Sequence, residues 1–336
     1  MSTEIARLHA TIGADTSGFQ QGLGGVRGAL VGAGAAVTEF GINAISSFVQ
    51  NGVGSVMDFD KSMRNIQAVT GDTDAGVAAL SKQLLDIGGA SVAGPQAVAD
   101  AYYDIAGGVA DASIRTATLN AAIATSEAGN ASLASTTKGL ISTMNAYGFS
   151  AEQAGFVSDV FTQTVGKGVG SMDEFVAAMG PLAGLAATSG VDFDRLGSMM
   201  AFMTTKGTSA AQSATQIKAA MTAVLKPNAD MQKALKAIGV DSGSAALEMY
   251  GLEGTLGRLN IAMGGSTDAM AAAMGSTEAL QAAVALNDKG YEEFLGTFQD
   301  TMGGVTQAAR EVQLQGLTNQ LDIMKNQFSS IGIEVG

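Results

Sequence analysis

The sequence predicts an all-α protein, an array of short to medium amphipathic helices with one short N-terminal β-strand and a long glycine-rich helix. Two observations support this prediction. Between residues 58 and 240, apolar side chains recur at helical spacing between start and stop signals, and no strand pattern intervenes. Aromatic residues make up only 5% of the chain, and tryptophan is absent. A core of Ala, Leu, Val, Ile and 17 Met favours slim helices in close contact.

The N-terminal segment alternates between apolar and polar residues. On one side of an extended chain lie Ala6, Leu8, Ala10 and Ile12. A period of two is typical of a half-buried β-strand, which the turn residues 15–18 would end. A single strand leaves its backbone groups unpaired, and no hairpin mate is obvious in this chain. We therefore expect the partner strand to come from elsewhere, for example from another copy of the protein.

Residues 24–57 predict a glycine-rich helix. Small residues recur at every fourth position, which lets two helices approach closely: Gly24, Gly28, Gly32 and Ala36. An apolar stripe follows, made of Ile42, Ile45, Val49, Val53 and Val56. Glu39 is the only charged residue in 28–57, so the uninterrupted segment is long enough to cross a membrane. Its polar residues and one-sided stripe favour helix–helix packing, and membrane insertion is the alternative.

From Asp58 onward the helices are shorter and have clear ends. Pro95 stands where the first turn of a helix tolerates proline, and Ser150 and Ser171 each open a capping box. Asp192 or Asp194 can cap the next helix. Gly207 and the pair Lys226-Pro227 then end helices.

Beyond Val240 the helical pattern continues with weaker definition, over 247–250, 256–263, 270–274, 280–286, 294–302 and 314–333. The last segment places four apolar residues on one face, with Asp322, Lys325 and Asn326 outside; the four are Leu317, Leu321, Met324 and Phe328. That face lacks a visible partner, so we expect a longer parent protein. The chain thus divides into a lead-in (1–57), a helical core (58–240) and a further helical segment (241–336).

Charge and composition exclude several functions. A net charge of −13, with 18 scattered basic residues, argues against binding nucleic acid through its phosphates. The chain has no cysteine, which excludes disulfides and thiol chemistry. Its first residues lack the basic and apolar regions of a signal peptide, which is compatible with synthesis in the cytoplasm. The 45 glycines predict modest stability, since each one inside a helix costs about 0.5–1 kcal/mol relative to alanine.

No pattern in the sequence predicts a catalytic, cofactor-binding or metal-binding residue. His9 is the single histidine and falls on the polar side of the predicted strand. The turn at Gly32-Ala33-Gly34 lacks the third glycine of a dinucleotide loop, since Val37 stands there. Carboxylate pairs mark helix starts and exposed turns, where capping explains them: Asp58/Asp60, Asp192/Asp194 and Glu292/Glu293. We therefore expect no enzyme.

The methionines fall on or near the apolar helix faces. They are Met199, Met200, Met203, Met221, Met263, Met270 and Met274. Filling of gaps in the core is the default interpretation. The alternative is an adaptable surface that repacks when the helices change partners.

Three strings dominate the middle of the chain: GLISTMNAYGFSAEQAGFVSDVF (139–161), EFVAAMGPLAGLAATSGVDFDRL (174–196) and SATQIKAAMTAVLKP (213–227). With shorter marks in the same order, they resemble the N-terminal conserved region of the phage tail tape measure proteins over about residues 58–240. The shorter marks are Phe59 with Met63, Val69-Thr70-Gly71, the turn at 145–148, Ser189-Gly190-Val191, Lys206-Gly207-Thr208 and Leu235 with Ile238-Gly239-Val240. The N-terminal strand and glycine-rich helix resemble the usual lead-in to this region. The wall-cleaving module that some members carry is not visible.

The resemblance implies a structural protein of the virion that fills the lumen of the tail tube and determines tail length. It implies that tube subunits polymerise around it, that tail assembly chaperones keep it soluble, and that it leaves at DNA ejection. It also implies contacts with distal tail or baseplate hub proteins, possible contact with the host membrane on ejection, and a homo-oligomer of three copies. A membrane-active channel or translocon component built on residues 24–57 is the alternative function. Tail type, host, copy number and the state of the core in the assembled tail stay open.

Overall fold

The computed structural model describes residues 56–335, and every regular element among them is helical, which confirms the all-α prediction. The predicted strand and residues 24–55 of the glycine-rich helix lie outside the described residues. Residues 56–70 are helical (α1). The first half continues with α2 (Asp74–Gly89), α3 (Pro95–Gly108), α4 (Ala112–Gly129), α5 (Leu133–Tyr147), a 3-10 turn (Ala151–Gln153), α6 (Ala154–Lys167), α7 (Met172–Thr188) and α8 (Phe193–Thr205).

The second half contains α9 (Ala210–Leu225), α10 (Ala229–Ala237), α11 (Gly243–Ala262), α12 (Thr267–Met274), α13 (Thr277–Leu286), α14 (Gly290–Asp300), α15 (Val305–Leu314) and α16 (Leu317–Val335). Inside α11 the helix breaks at Gly251, whose φ of 67° is left-handed. This break separates the two predicted segments 247–250 and 256–263. The predicted segment 314–333 is instead the end of α15 followed by α16.

Local capping chemistry fixes several helix starts. The Ser171 N–H donates to Glu174 Oε2 at 2.8 Å, and the Glu174 N–H donates to Ser171 Oγ at 3.3 Å, which confirms that capping box. At Ser150 the N–H donates to Gln153 Oε1 at 3.0 Å. Asp192 stands at the N-cap of α8, as predicted, but its side chain makes no capping bond and lies 3.7 Å from Arg195 Nε. Asp194 does not cap either, since it accepts a hydrogen bond from Gln299 at 2.7 Å.

We predict that Ser171→Ala lowers the free energy of unfolding by about 1 kcal/mol, because it leaves the first turn of α7 without its cap. Urea denaturation followed by circular dichroism measures this loss. The control is Ser142→Ala, an exposed site inside α5 where alanine costs nothing or slightly stabilises. Equal effects at the two sites would contradict a capping role for Ser171.

Three of the largest fully buried side chains lie at the centre of the first half. Phe161, Phe175 and Phe193 are buried in one continuous core. The Phe193 ring meets Phe161 edge-on, with 5.3 Å between centroids, and meets Tyr147 at 5.5 Å. One cluster of aromatic rings therefore lies where helices α5, α6 and α8 converge, and a second joins Phe202 of α8 to Tyr291 and Phe294 of α14.

Glycines allow the closest helix contacts. A methyl group at Gly139 of α5 would lie 2.2 Å from Val176 Cγ1 of α7. One at Gly197 of α8 would lie 2.6 Å from Thr164 Oγ1 of α6. The helix propensity lost at these positions is offset by tight packing. The glycine content of this region is thus partly a packing device as well as a cost.

The chain returns on itself at the end. Helix α15 packs against α4 and α6, and α16 packs against α2, so the last described helices cover the first ones. Asn326, predicted to lie outside, is half-buried, because its amide donates to the Ser91 and Val92 carbonyls at 2.9 and 3.0 Å. Of the predicted apolar face, Leu317 is 72% exposed and the other three residues are half-buried. Polar residues together with Ile333, and not that face, therefore dock α16.

Candidate functional site

The carboxylate pairs singled out from the sequence act locally. Asp60 forms an ion pair with Arg64 at 2.8 Å on the exposed face of α1. Glu292 and Glu293 are exposed in the first turn of α14, where negative charge suits the helix N-terminus. Together with Asp192 and Asp194, these groups lie at exposed or half-buried helix ends. None of these carboxylates is given a catalytic partner by the contacts it makes.

Buried hydroxyl groups form a second class of candidates. Ser198 Oγ and Tyr291 Oη lie 2.9 Å apart, beside the ion pair of Arg195 with Glu253. Burial raises the pKa of Tyr291 well above its usual range, so its phenol stays protonated and neutral. Ser198 Oγ also donates to the Arg195 carbonyl at 2.8 Å, which satisfies it within its own helix. These contacts join α8 to α11 and α14 and hold the second half against the first.

Two surface hollows are large enough to hold a small ligand. The first, a groove of about 660 Å³, lies between α1, α2 and the end of α16. Its lining combines apolar side chains with a charged rim: Phe59, Met63, Val77, Leu85 and Ile333, with Arg64, Asp74, Lys82 and Glu334. The second, of about 400 Å³, is lined mainly by alanines of α10 and α12 together with Met263. Across the described range 56–335, no group of three His, Cys, Asp or Glu residues could hold a metal ion.

The methionines fill the core, as the default interpretation predicts. Buried to 3% exposure or less are Met199, Met200, Met203, Met221, Met270 and Met274. Met263 alone of the seven is half-buried, and it lines the smaller hollow. The adaptable-surface alternative is thus restricted to Met263 in this conformation.

Among the described residues Glu127 is the one charged residue that is buried, with 3% of its side chain exposed. Its Oε1 accepts the Val92 N–H at 2.9 Å, and its Oε2 accepts from Arg310 Nε at 2.5 Å. One carboxylate on α4 therefore connects the turn before α3 to α15. Our sequence analysis missed it, although a signal exists. Glu127 continues the buried stripe of Leu119 and Ile123 at a spacing of four, which requires a partner for the charge.

Asp159 of α6 was missed in the same way. Its two oxygens accept the Gly304 and Thr306 N–H groups at 2.8 and 2.9 Å, so it caps α15 from another helix. No local sequence signal marks this role, because donor and acceptor are far apart along the chain. Glu127 and Asp159 are the charged residues on which the return of the chain depends.

Comparison with known proteins places the fold in a family. A model of the family described as phage-related minor tail protein matches residues 81–280, more than half of the chain. The tape measure protein of Pneumococcus phage Dp-1 is 21% identical over 314 residues, which cover 91% of this chain and 27% of that protein. The chain belongs to the phage tail tape measure family. No solved structure shows a significant match to it.

Membership in the tape measure family gives the chain a structural role in a phage tail, as a component of the virion. The chain spans about a quarter of the length of the tape measure relative that it matches. Glu127 and Asp159 lie inside the family match, whereas their partners on α15 lie beyond residue 280. In the described range 56–335, no helix is long and apolar enough to cross a membrane.

Proposed function

We propose that this chain is part of a tape measure protein that occupies the lumen of the tail tube, determines tail length, templates tube assembly and leaves at DNA ejection. The observation that carries the proposal is the similarity to a tape measure protein over 91% of the chain. Residues 1–57 serve as the lead-in, 58–240 as the conserved core and 241–336 as a further helical segment.

Helix geometry supports a ruler. A helix extends by about 1.5 Å per residue, so each residue added or deleted changes the length of the tube by a constant amount. Low aromatic content keeps helices slim, which allows several copies to share a narrow bore, and we propose three. The partners are the tube subunits, the tail assembly chaperones and the distal tail or baseplate hub proteins. Any contact with the host membrane takes place during ejection.

The compact arrangement bears on which part of the protein measures length. A single helix of 280 residues would span about 420 Å. A globule of that size has a radius of gyration of only about 19 Å. While folded, residues 56–335 therefore contribute a fixed length to the tail. The part of the protein that determines tail length is the part that is extended in the tube.

We predict that an in-frame deletion of a helical block from the extended part of the tape measure protein, outside residues 56–335, shortens tails by about 1.5 Å per deleted residue. Electron micrographs of particles from the mutant phage give the distribution of tail lengths. The matched control replaces the same block by an unrelated helical sequence of equal length and keeps the tail length. Tails of unchanged length after a clean deletion would rule out the ruler role of that block.

The membrane-active alternative rests on residues 24–57, which lie almost wholly outside the described residues. The two functions differ in a simple assay with the purified chain. Co-purification with ring-forming tube subunits supports the tail proposal. Leakage of anionic liposomes, abolished by deletion of 24–55, would support a channel instead.

A further inference from the structure

Residues 303–335, which comprise α15 and α16, are here called the latch arm. Between residues 303 and 334, Thr306 is the one buried residue. Helix α8, by comparison, buries nearly all of its residues from Leu196 to Thr204. Since burial of apolar surface is the main stabilising contribution to a fold, the latch arm gains little from the contribution that holds the body together.

The latch arm is attached at its start by Asp159 and Thr162 of α6. Asp159 accepts the Gly304 and Thr306 N–H groups, and the hydroxyl groups of Thr162 and Thr306 lie 2.9 Å apart. These bonds fix the first turn of α15. Water can replace each of them when the first turn moves away.

The middle of the latch arm is held by Arg310, whose Nε donates to Glu127 Oε2 at 2.5 Å. The Arg310 side chain is 26% exposed, whereas that of Glu127 is 3% exposed. A buried carboxylate needs its partners, so Arg310 contributes more here than a surface ion pair would. Separation of the arm exposes Glu127 to water and so removes the cost of burying its carboxylate in one step.

The far end of the latch arm docks on the turn between α2 and α3. Ser330 Oγ donates to the Leu85 carbonyl at 2.9 Å, next to the bonds from Asn326 to the carbonyls of residues 91 and 92. Glycines provide the space, since a methyl group at Gly89 would lie 2.8 Å from Ser330 Oγ. The hydrogen bonds of this contact are supplemented by one apolar contact, since the half-buried Ile333 packs against the core beside Leu85.

We propose that the latch arm separates from residues 56–302 as a unit while that body stays folded, and that the pair of Glu127 with Arg310 is the latch. Every described partner of the arm named above lies in the body, between residues 85 and 162, so the contacts are lost together. Segments with little apolar burial open locally below the free energy of global unfolding. The released helices have an end-to-end reach of about 45 Å if they join. This inference does not rest on the proposed function.

Hydrogen exchange of the full chain, read by mass spectrometry, tests the proposal. In the wild type, amides of 305–334 exchange at least about tenfold faster than those of α5 and α8. Arg310→Met raises exchange in 305–334 about tenfold further and leaves α5 and α8 unchanged. The control Arg64→Met removes an equally positive group from an exposed pair on α1 and leaves the arm unchanged. An arm as protected as α5 in the wild type would overturn the proposal, as would uniform loosening by Arg310→Met.

A reversible crosslink gives a second measurement. In the variant Gly89→Cys/Ser330→Cys, the two Cβ atoms start about 3.4 Å apart, close to the 3.5–4.5 Å of disulfides. Because the chain has no cysteine of its own, no other disulfide can form within one molecule. We expect oxidation to lower exchange of 305–334 at least about tenfold and reduction to restore it. Exchange of the arm that is the same in both redox states would show that the arm does not open there, and would overturn the proposal.

Discussion

Replacement of Phe193 by alanine lowers the free energy of unfolding by about 3–5 kcal/mol, the largest effect that we expect from a single substitution. The Phe193 ring is 1% exposed and contacts the rings of Phe161, Tyr147 and Phe149. Its removal leaves a cavity between α5, α6 and α8 that rigid neighbouring helices cannot close. Urea denaturation followed by circular dichroism measures the loss. Circular dichroism is the probe because the chain has no tryptophan whose fluorescence could report unfolding.

The matched control is Phe328→Ala on α16. Phe328 is half-buried and does not belong to the core, so the same chemical change should cost less than about 1 kcal/mol. A comparable loss at both positions would mean that aromatic burial around Phe193 is not what holds the helices of the first half together.

The second large effect is a difference between two glycines on neighbouring helices. Replacement by alanine changes the free energy of unfolding in opposite directions at the two positions. Gly139→Ala lowers the free energy of unfolding by about 1–3 kcal/mol, because the added methyl group would meet Val176 Cγ1 at 2.2 Å. Gly184→Ala raises it by about 0.5–1 kcal/mol, because nothing lies within 4 Å and alanine favours the helix. Both values come from the same denaturation experiment.

A compensating variant makes this test specific. Val176→Ala removes the atom that the new methyl group would meet, so Gly139→Ala costs less in that background than in the wild type. If Gly139→Ala is as stabilising as Gly184→Ala, then α5 and α7 are farther apart in solution than the structure places them.

Local signals in the sequence were enough to predict where most helices of residues 58–240 begin and end. The capping box at Ser171, the proline at 95 and the stop at Lys226 act through atoms within a few residues of each other. Composition was enough to predict what fills the core, since methionines and small residues do occupy it. At Asp192 the position of the cap was predicted correctly, but not the side-chain contact, because Arg195 is an equally local partner.

Contacts between distant segments could not be predicted in this way. The periodicity of α16 shows which residues share a face but not which face finds a partner, so Asn326 was placed on the wrong side. Helix α15 was missed, although Val305, Ala308, Ala309 and Val312 share one face at helical spacing. Its docking could not be predicted, because Asp159 and Glu127 fix it from other helices. Glu127 itself was detectable as a charge in a buried stripe. Its partner was not, because Arg310 lies 183 positions away.

That separation has a consequence for synthesis. At about 5–20 residues per second, a ribosome needs about 10–40 s to add the residues between Glu127 and Arg310. During this interval α2, α4 and α6 can fold, but Glu127 has no guanidinium beside it, and the surfaces that α15 and α16 later cover are open to other proteins. The nascent chain therefore exposes a surface of α2, α4 and α6 that is covered in the complete chain.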